Sequence, residues 1–392
     1  MNFLKIFLPL FFITFALGEL AKVKFPGGVS VGLFDFAVII LSVYYLKKIW
    51  GKSFFLKVPI IIFILASVFS LLINILNYEK YQLFIGSLYL IRWIAYTGIY
   101  FVSASLSSLG KDYAHKFMTI SGVVILAIGY LQFFFFSNLK NLYFLGWDDH
   151  MYRMVSSYLD PNFAGVIFVL FLIYFFVYKD KLFKNIYMGY FAVLTTFFAV
   201  ILTYSRGAML MLTVSALTYS IIKRNYKVIL GVLGAFAVAF IILSPRFYIE
   251  NTNLLRTYSA SQRFASMRQG LFIAKENPLG VGFNTFRYAR EKYGFKDVSI
   301  TGPSHAGAGV DNSLILILAT AGIPGFIAYL YLLFKMFKLG FINLKKNDMA
   351  IVLVVSLAGL IVNSLFINSL IYSFIMAWIF LIAGLTENKQ HL

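Results

Sequence analysis

Residues 186–222 read IYMGYFAVLTTFFAVILTYSRGAMLMLTVSALTYSII, two apolar runs (186–204 and 207–222) hinged at Ser205-Arg206. A helix needs about 17–25 predominantly apolar residues to cross a hydrocarbon core, and both runs approach that length. Between them stands a single charge, Arg206. Two such runs joined by so tight a turn predict a helical hairpin in a membrane. The rest of the chain has the same character. Of its 392 residues 61% are hydrophobic and 12% charged, with a mean hydropathy of +0.84. Soluble domains run nearer ~45–50% apolar and ~25% charged, so a soluble fold is excluded.

Working outward from the hairpin, apolar stretches recur at 3–18, 29–46, 58–76, 88–106, 117–137, 163–178, 228–243, 312–334, 349–367 and 369–385. With the hairpin's two, these predict an all-α polytopic membrane protein of about twelve transmembrane helices. No internal repeat or linker divides it, so 1–392 reads as one integral membrane domain. Met1 to Ala21 has the look of a signal peptide, but in a multi-spanning chain it reads as an uncleaved first span. Two segments break the tight-loop pattern: 138–162, with Trp147-Asp148-Asp149-His150, and the long 244–311, between spans nine and ten.

The formal net charge is +19, from 34 basic and 15 acidic side chains. In a chain this apolar the surplus does not point to nucleic acid. It separates by residue type. Seventeen of 24 lysines (among them Lys47, Lys48, Lys111, Lys179, Lys181, Lys338 and Lys345) fall in short loops or tails on one side. The positive-inside rule makes that side the cytoplasm, with both termini there. Only one arginine, Arg224, joins them. The other nine, Arg92, Arg153, Arg206, Arg246, Arg256, Arg263, Arg268, Arg287 and Arg290, lie on the outer face or in the outward half of a span. Lysine suffices for topology. A guanidinium fork stays charged and binds phosphate bidentately, so an outer arginine cluster points to an anionic, phosphorylated ligand met from that side. There is no cysteine, and no pair among His115, His150, His305 and His391 has metal-ligand spacing, so neither metal nor cofactor is expected.

Arg206 is the sharpest member. An arginine at the centre of a spanning helix costs roughly 2.5–3.5 kcal/mol, and intramembrane arginines are functional by default. The Ser-Arg-Gly opening of span eight also aims free helix N–H groups at an anion. Arg92 has three readings: snorkelling, pairing with Asp35, or ligand binding, the last the least favoured. In the long loop, Ser259 or Ser261 can cap a helix running to about Lys275, with Phe264, Met267, Leu271 and Phe272 on one apolar arc able to rest on the membrane surface. Glu276-Asn277-Pro278-Leu279-Gly280-Val281-Gly282-Phe283 is a turn whose glycines permit close backbone approach to a ligand. A short helix carrying Arg287 and Arg290 follows. Asp311 is placed to cap span ten or, as a carboxylate, to take a proton from an attacking hydroxyl. His305, in a glycine-rich stretch, is solvated or swings into the site.

Three stretches in order, Tyr204-Ser205-Arg206-Gly207-Ala208, Gln262-Arg263 through Phe283, and Asp311-Asn312-Ser313 followed by Gly322-Ile323-Pro324-Gly325, resemble the O-antigen ligase/polymerase superfamily of bacterial envelope enzymes. The resemblance covers roughly 200–330. It implies a GT-C-like fold and a metal-independent glycosyltransferase acting at the outer face of the inner membrane. The implied donor and acceptor are undecaprenyl-diphosphate-linked oligosaccharides, with a chain-length regulator protein as a possible partner besides membrane lipid. By the same resemblance Arg206, Arg263 and Arg287 would hold the donor diphosphate, with Arg268 and Arg290 as further candidates, and Asp311 or His305 would be the base. Ligases of the family typically carry His where Asp311 stands, so the polymerase branch is favoured. The ligase, acting on lipid A–core, is the nearest alternative, and protein O-oligosaccharyltransferase a third. A transporter or flippase for an anionic lipid-linked substrate is the reading from another class; two related halves with paired broken helices would mark it, and none is seen in the sequence.

Overall fold

The computed structural model describes residues 2–24, 30–49, 51–145, 150–295 and 309–387. Among them the chain folds into α1 (Asn2–Leu17), α2 (Leu33–Ile49), α3 (Lys57–Ile73), α4 (Lys80–Ala104), α5 (Ser108–Phe135), α6 (Pro161–Leu182), α7 (Ile186–Leu202), α8 (Arg206–Lys223), α9 (Lys227–Leu243), α10 (Tyr258–Glu276), α11 (Phe286–Lys292), α12 (Ser313–Asn343), α13 (Asp348–Asn363) and α14 (Ser373–Thr386). Each of the twelve apolar stretches coincides with a helix, and α10 and α11 fall in the long loop. Five helices are long and apolar enough to cross a membrane: α4, α5, α6, α9 with its continuation to Arg246, and α12. The other seven have 14 to 18 residues. At 1.5 Å per residue they reach only about 21–27 Å. Two short antiparallel pairs depart from the all-helical expectation: β1 (Lys22–Lys24) with β2 (Ser30–Gly32), and β3 (Asn138–Leu139) with β4 (His150–Met151).

Helix starts follow the local sequence. Asp160 accepts from the amides of Asn162 and Phe163, with Pro161 at the first helical position of α6. Asn185, Ser205 and Asn347 cap α7, α8 and α13 in the same way. Each satisfies N–H groups that a helix leaves unpaired at its start. α6, α13 and α14 are apolar round most of their circumference and are accordingly the most buried. α6 packs on α7, α8 and α13, while α14 packs on α4 and α13. Phe15, Phe171, Phe374 and Trp378 meet at the centre. Close approach of α13 to α8 depends on Gly359, where a Cβ would lie 2.3 Å from Ser215 Oγ.

At one end Lys181 pairs with Asp348 at 2.7 Å, and Lys111 Nζ and Asn347 Nδ2 donate to Leu385 O. The opposite end carries the starts of α6, α8 and α12 and the arginine-rich loops. Of the three readings of Arg92, pairing is the one observed. Its Nε and Nη2 meet Asp35 at 2.7 and 2.8 Å, and Asp35 also accepts from Tyr96 Oη and the Gly32 amide.

The long loop is anchored where α12 breaks. Gly322 has φ 69° and ψ −174°, and Pro324 lacks the N–H that would pair with Thr320 O. The loop supplies the missing bonds. Val281 N donates to Ala319 O (2.9 Å), Gly282 N to Thr320 O (3.0 Å), and Ile323 N in return to Pro278 O (2.8 Å). From α3, Ser70 Oγ donates to Thr320 O, and below it Asn74 Nδ2 donates to Gly280 O. Gly280 therefore admits protein backbone, that of the broken helix. A Cβ on Gly280 would lie 2.5 Å from Gly322 N.

Candidate functional site

The α7–α8 turn is the centre of the arginine end. Tyr204 takes a left-handed φ of 50° while fully buried, a conformation a bulky residue holds only when its surroundings impose it. Arginines from two other segments grip this turn. Arg153, arriving from β4, donates through Nε to Thr203 O at 2.8 Å, and Arg256 donates through Nη2 to Tyr204 O at 3.4 Å. Arg206 opens α8 and donates through Nη1 to Arg256 O at 2.8 Å. Ser205 Oγ donates to Asn162 Oδ1, which ties the start of α8 to the start of α6.

The start of α12 closes the same end, and here one expectation is corrected. Asn312, not Asp311, caps the helix: its Oδ1 accepts from Leu314 N and Ile315 N at 2.9 and 3.0 Å. Ser313 bonds to Ser364 O, Ile367 O and Leu370 N, which fastens α12 to the α13–α14 connection. A side chain one residue before the cap is too far back to reach the free amides, so the Asp311 carboxylate is left for other work. Its own amide donates to Ser266 Oγ of α10 at 3.3 Å.

α10 begins at Tyr258, after a Thr257 that makes no side-chain cap, so Ser259 and Ser261 lie within the helix bounds. It meets α12 through a face of small residues; Gly270 sits against Val310 and Ile315. Phe264, Leu271 and Phe272, from the predicted apolar arc, are exposed, and Met267 is half-buried. Arg263 is half-buried on the Ser266 side and acts electrostatically on Asp311. Burial pushes the Asp311 carboxyl above the usual carboxylate range. Arg263 pulls it back down, and the Asp160 carboxylate adds to the rise. Asp160 and Asp311, carried on the starts of α6 and α12, are thus electrostatic neighbours.

Arg206, Arg263 and Asp311 are therefore gathered at one end of the bundle. Arg268 is exposed, about 140° round α10 from Arg263. Arg287 and Arg290 belong to α11, which packs beside the α3–α4 turn. There Arg290 Nε donates to Gln269 Oε1, and Lys292 reaches Asn77 O and the Tyr78 ring. His305 and Trp147-Asp148-Asp149 lie outside the described residues.

Three residues entered the site without a role read from the sequence. Arg153 was one outer arginine among nine, and Asp160 is legible from its Asp-Pro step only as a helix cap. Asn363, at the end of α13, is fully buried with both amide atoms lacking a hydrogen-bond partner among the described residues. A Cβ on Gly207 would lie 3.2 Å from its Nδ2. No signal singled it out, because it became a neighbour of Arg206-Gly207 only when α13 packed on α8.

A family model described as O-antigen ligase matches residues 191–330, from α7 into α12. No curated protein matches the chain. With five helices long and apolar enough to cross a membrane, the chain has the character of a membrane protein. Over that central stretch, less than half of the chain, it is similar to the O-antigen ligase/polymerase superfamily. The match takes in Arg206, Arg256, Arg263, Arg287, Arg290 and Asp311, while Arg153, Asp160 and Asn363 lie outside it.

Proposed function

We propose that the protein is an O-antigen or exopolysaccharide polymerase, with all twelve apolar helices crossing the bacterial inner membrane, both termini cytoplasmic and the arginine end periplasmic. The segment 244–311 is its catalytic loop. The observation that carries this reading is a half-buried Asp311 carboxylate that does not cap α12 and stands within electrostatic reach of Arg263, at the end of the bundle where Arg206 opens α8.

In the proposed reaction an acceptor sugar hydroxyl gives its proton to the Asp311 carboxylate. Its oxygen bonds to the anomeric carbon of the donor glycan. The bond from that carbon to the diphosphate oxygen breaks, and undecaprenyl diphosphate leaves with the electron pair. Arg206 and Arg263 hold the diphosphate and stabilise the charge that grows on it, aided by the positive end of the α8 dipole. Arg268, Arg287 and Arg290 supply positive charge along the approach. A chain-length regulator protein would act on the number of turns. The chemistry needs no metal, since guanidinium groups take the leaving-group charge.

Membrane vesicles supplied with lipid-linked repeat units are expected to form a ladder of chain lengths, and an Arg206→Ala protein none. Normal ladders from Arg206→Ala would overturn the assignment. A ligase would instead leave the ladder intact in its absence, with long polymer retained on the carrier lipid.

A further inference from the structure

Arg153 is the most deeply buried guanidinium at the arginine end, with 5% of its surface exposed. Its backbone is fixed on all sides. Met154 N donates to Leu202 O at 2.9 Å, Gln132 Nε2 donates to Arg153 O at 3.3 Å, and Gln132 Oε1 accepts from Val155 N at 2.8 Å. Nε is spent on Thr203 O, at the turn that presents Arg206. Nη2 is buried and has no hydrogen-bond partner among the described residues. Three like charges, Arg256, Arg263 and Arg206, bear on it against one carboxylate, Asp160. Burial first, then Arg256, pushes its pKa down to about 9, so it remains a cation at neutral pH.

A buried cation whose Nη2 has no partner among the described residues, set among like charges, is costly unless an anion neutralises the group. Packing alone would be served better by an apolar side chain. A single phosphate monoanion would leave positive charge over, whereas a diphosphate offers two groups to several forks at once.

We propose that Arg153 is a further residue of the donor site, its Nε arm shaping the Thr203–Ser205 turn and its Nη2 arm gripping the diphosphate held by Arg206. This rests on the polymerase-type reading of the Arg206 site. The balance is simple: no bond to Arg153 forms or breaks, and it keeps its proton throughout.

The test uses the full chain in nanodiscs, with undecaprenyl diphosphate and undecaprenyl monophosphate as probes. Wild-type protein is expected to prefer the diphosphate. Arg153→Gln should bind it at least roughly tenfold more weakly, a change of ~1.4 kcal/mol, with a much smaller change for the monophosphate and an unchanged unfolding temperature. Arg153→Lys, which keeps the charge but not the second arm, should fall between them and decides the matter if the glutamine protein does not fold. Diphosphate binding lost in Arg206→Ala but retained in both Arg153 variants would overturn the role of Arg153 alone. Binding retained in Arg206→Ala as well, or no preference in the wild type, would overturn the donor site itself.

Discussion

Replacing Gly322 with alanine tests the link between the broken helix and the loop it anchors. Gly322 sits at φ 69°, ψ −174°, a region that side-chain-bearing residues pay about 1–3 kcal/mol to occupy. Its Cβ would lie 2.3 Å from Leu279 C and 2.6 Å from Gly280 N, both backbone atoms with no rotamer to yield. Overpacking of that kind adds about 1–3 kcal/mol, so the loss should be roughly 2–6 kcal/mol. If the loop detaches instead, the bonds from Val281 to Ala319 and from Gly282 to Thr320 break and leave buried carbonyls exposed to view. Either way the segment from Arg263 to Arg287 loses its footing. The assay is equilibrium unfolding in mixed micelles, paired with limited proteolysis. A lower midpoint is expected, with new cleavage between residues 276 and 292. A Gly322→Ala protein with wild-type midpoint and protease pattern would refute the argument that this break carries the loop.

Three further outcomes are expected. If Asp311 is the base of the proposed reaction its active form is the carboxylate, so activity should fall as pH drops through its raised pKa, above the ordinary carboxylate range. Asp160→Asn removes a cause of the rise and should move that limb to lower pH, while Arg263→Gln should move the limb of its residual activity to higher pH. A limb that ignores both changes would remove Asp311 as the titrating base. Asp35→Ala strands Arg92 and should cost roughly 1–3 kcal/mol, less than the ~3–5 of a fully buried pair because the Arg92 side chain keeps 24% exposure. In a double-mutant cycle with Arg92→Ala the two losses should prove non-additive. Activity should survive saturating EDTA, and its loss with recovery on adding a divalent ion would contradict the proposed metal-independent reaction.

The helical architecture was legible because a long apolar run announces itself in one dimension. Twelve apolar stretches coincide with twelve helices, and the largest disagreements, such as α4 starting at Lys80 and α12 running to Asn343, lie at the ends. There polar residues continue a helix that hydropathy no longer reports. The candidate site was legible in part, through arginines that topology did not require. Asp311 illustrates the boundary. Asp311 and Asn312 are equally good caps by residue type, and only the backbone at the start of α12 shows which one is engaged.

What the amino-acid sequence determined by itself was the class of protein, the separation of lysine from arginine, and the candidacy of Arg206, Arg263 and Asp311. Each follows from local chemistry: apolar length, the side chosen by charge, the geometry of a guanidinium. What only the tertiary structure decided was company. It set Arg153 on Thr203, 50 residues away, turned the 278–282 glycines toward a broken helix, and brought Asn363 to Gly207. These contacts arise from how helices distant in the chain pack, and no local pattern encodes which residues a packed interface will make neighbours.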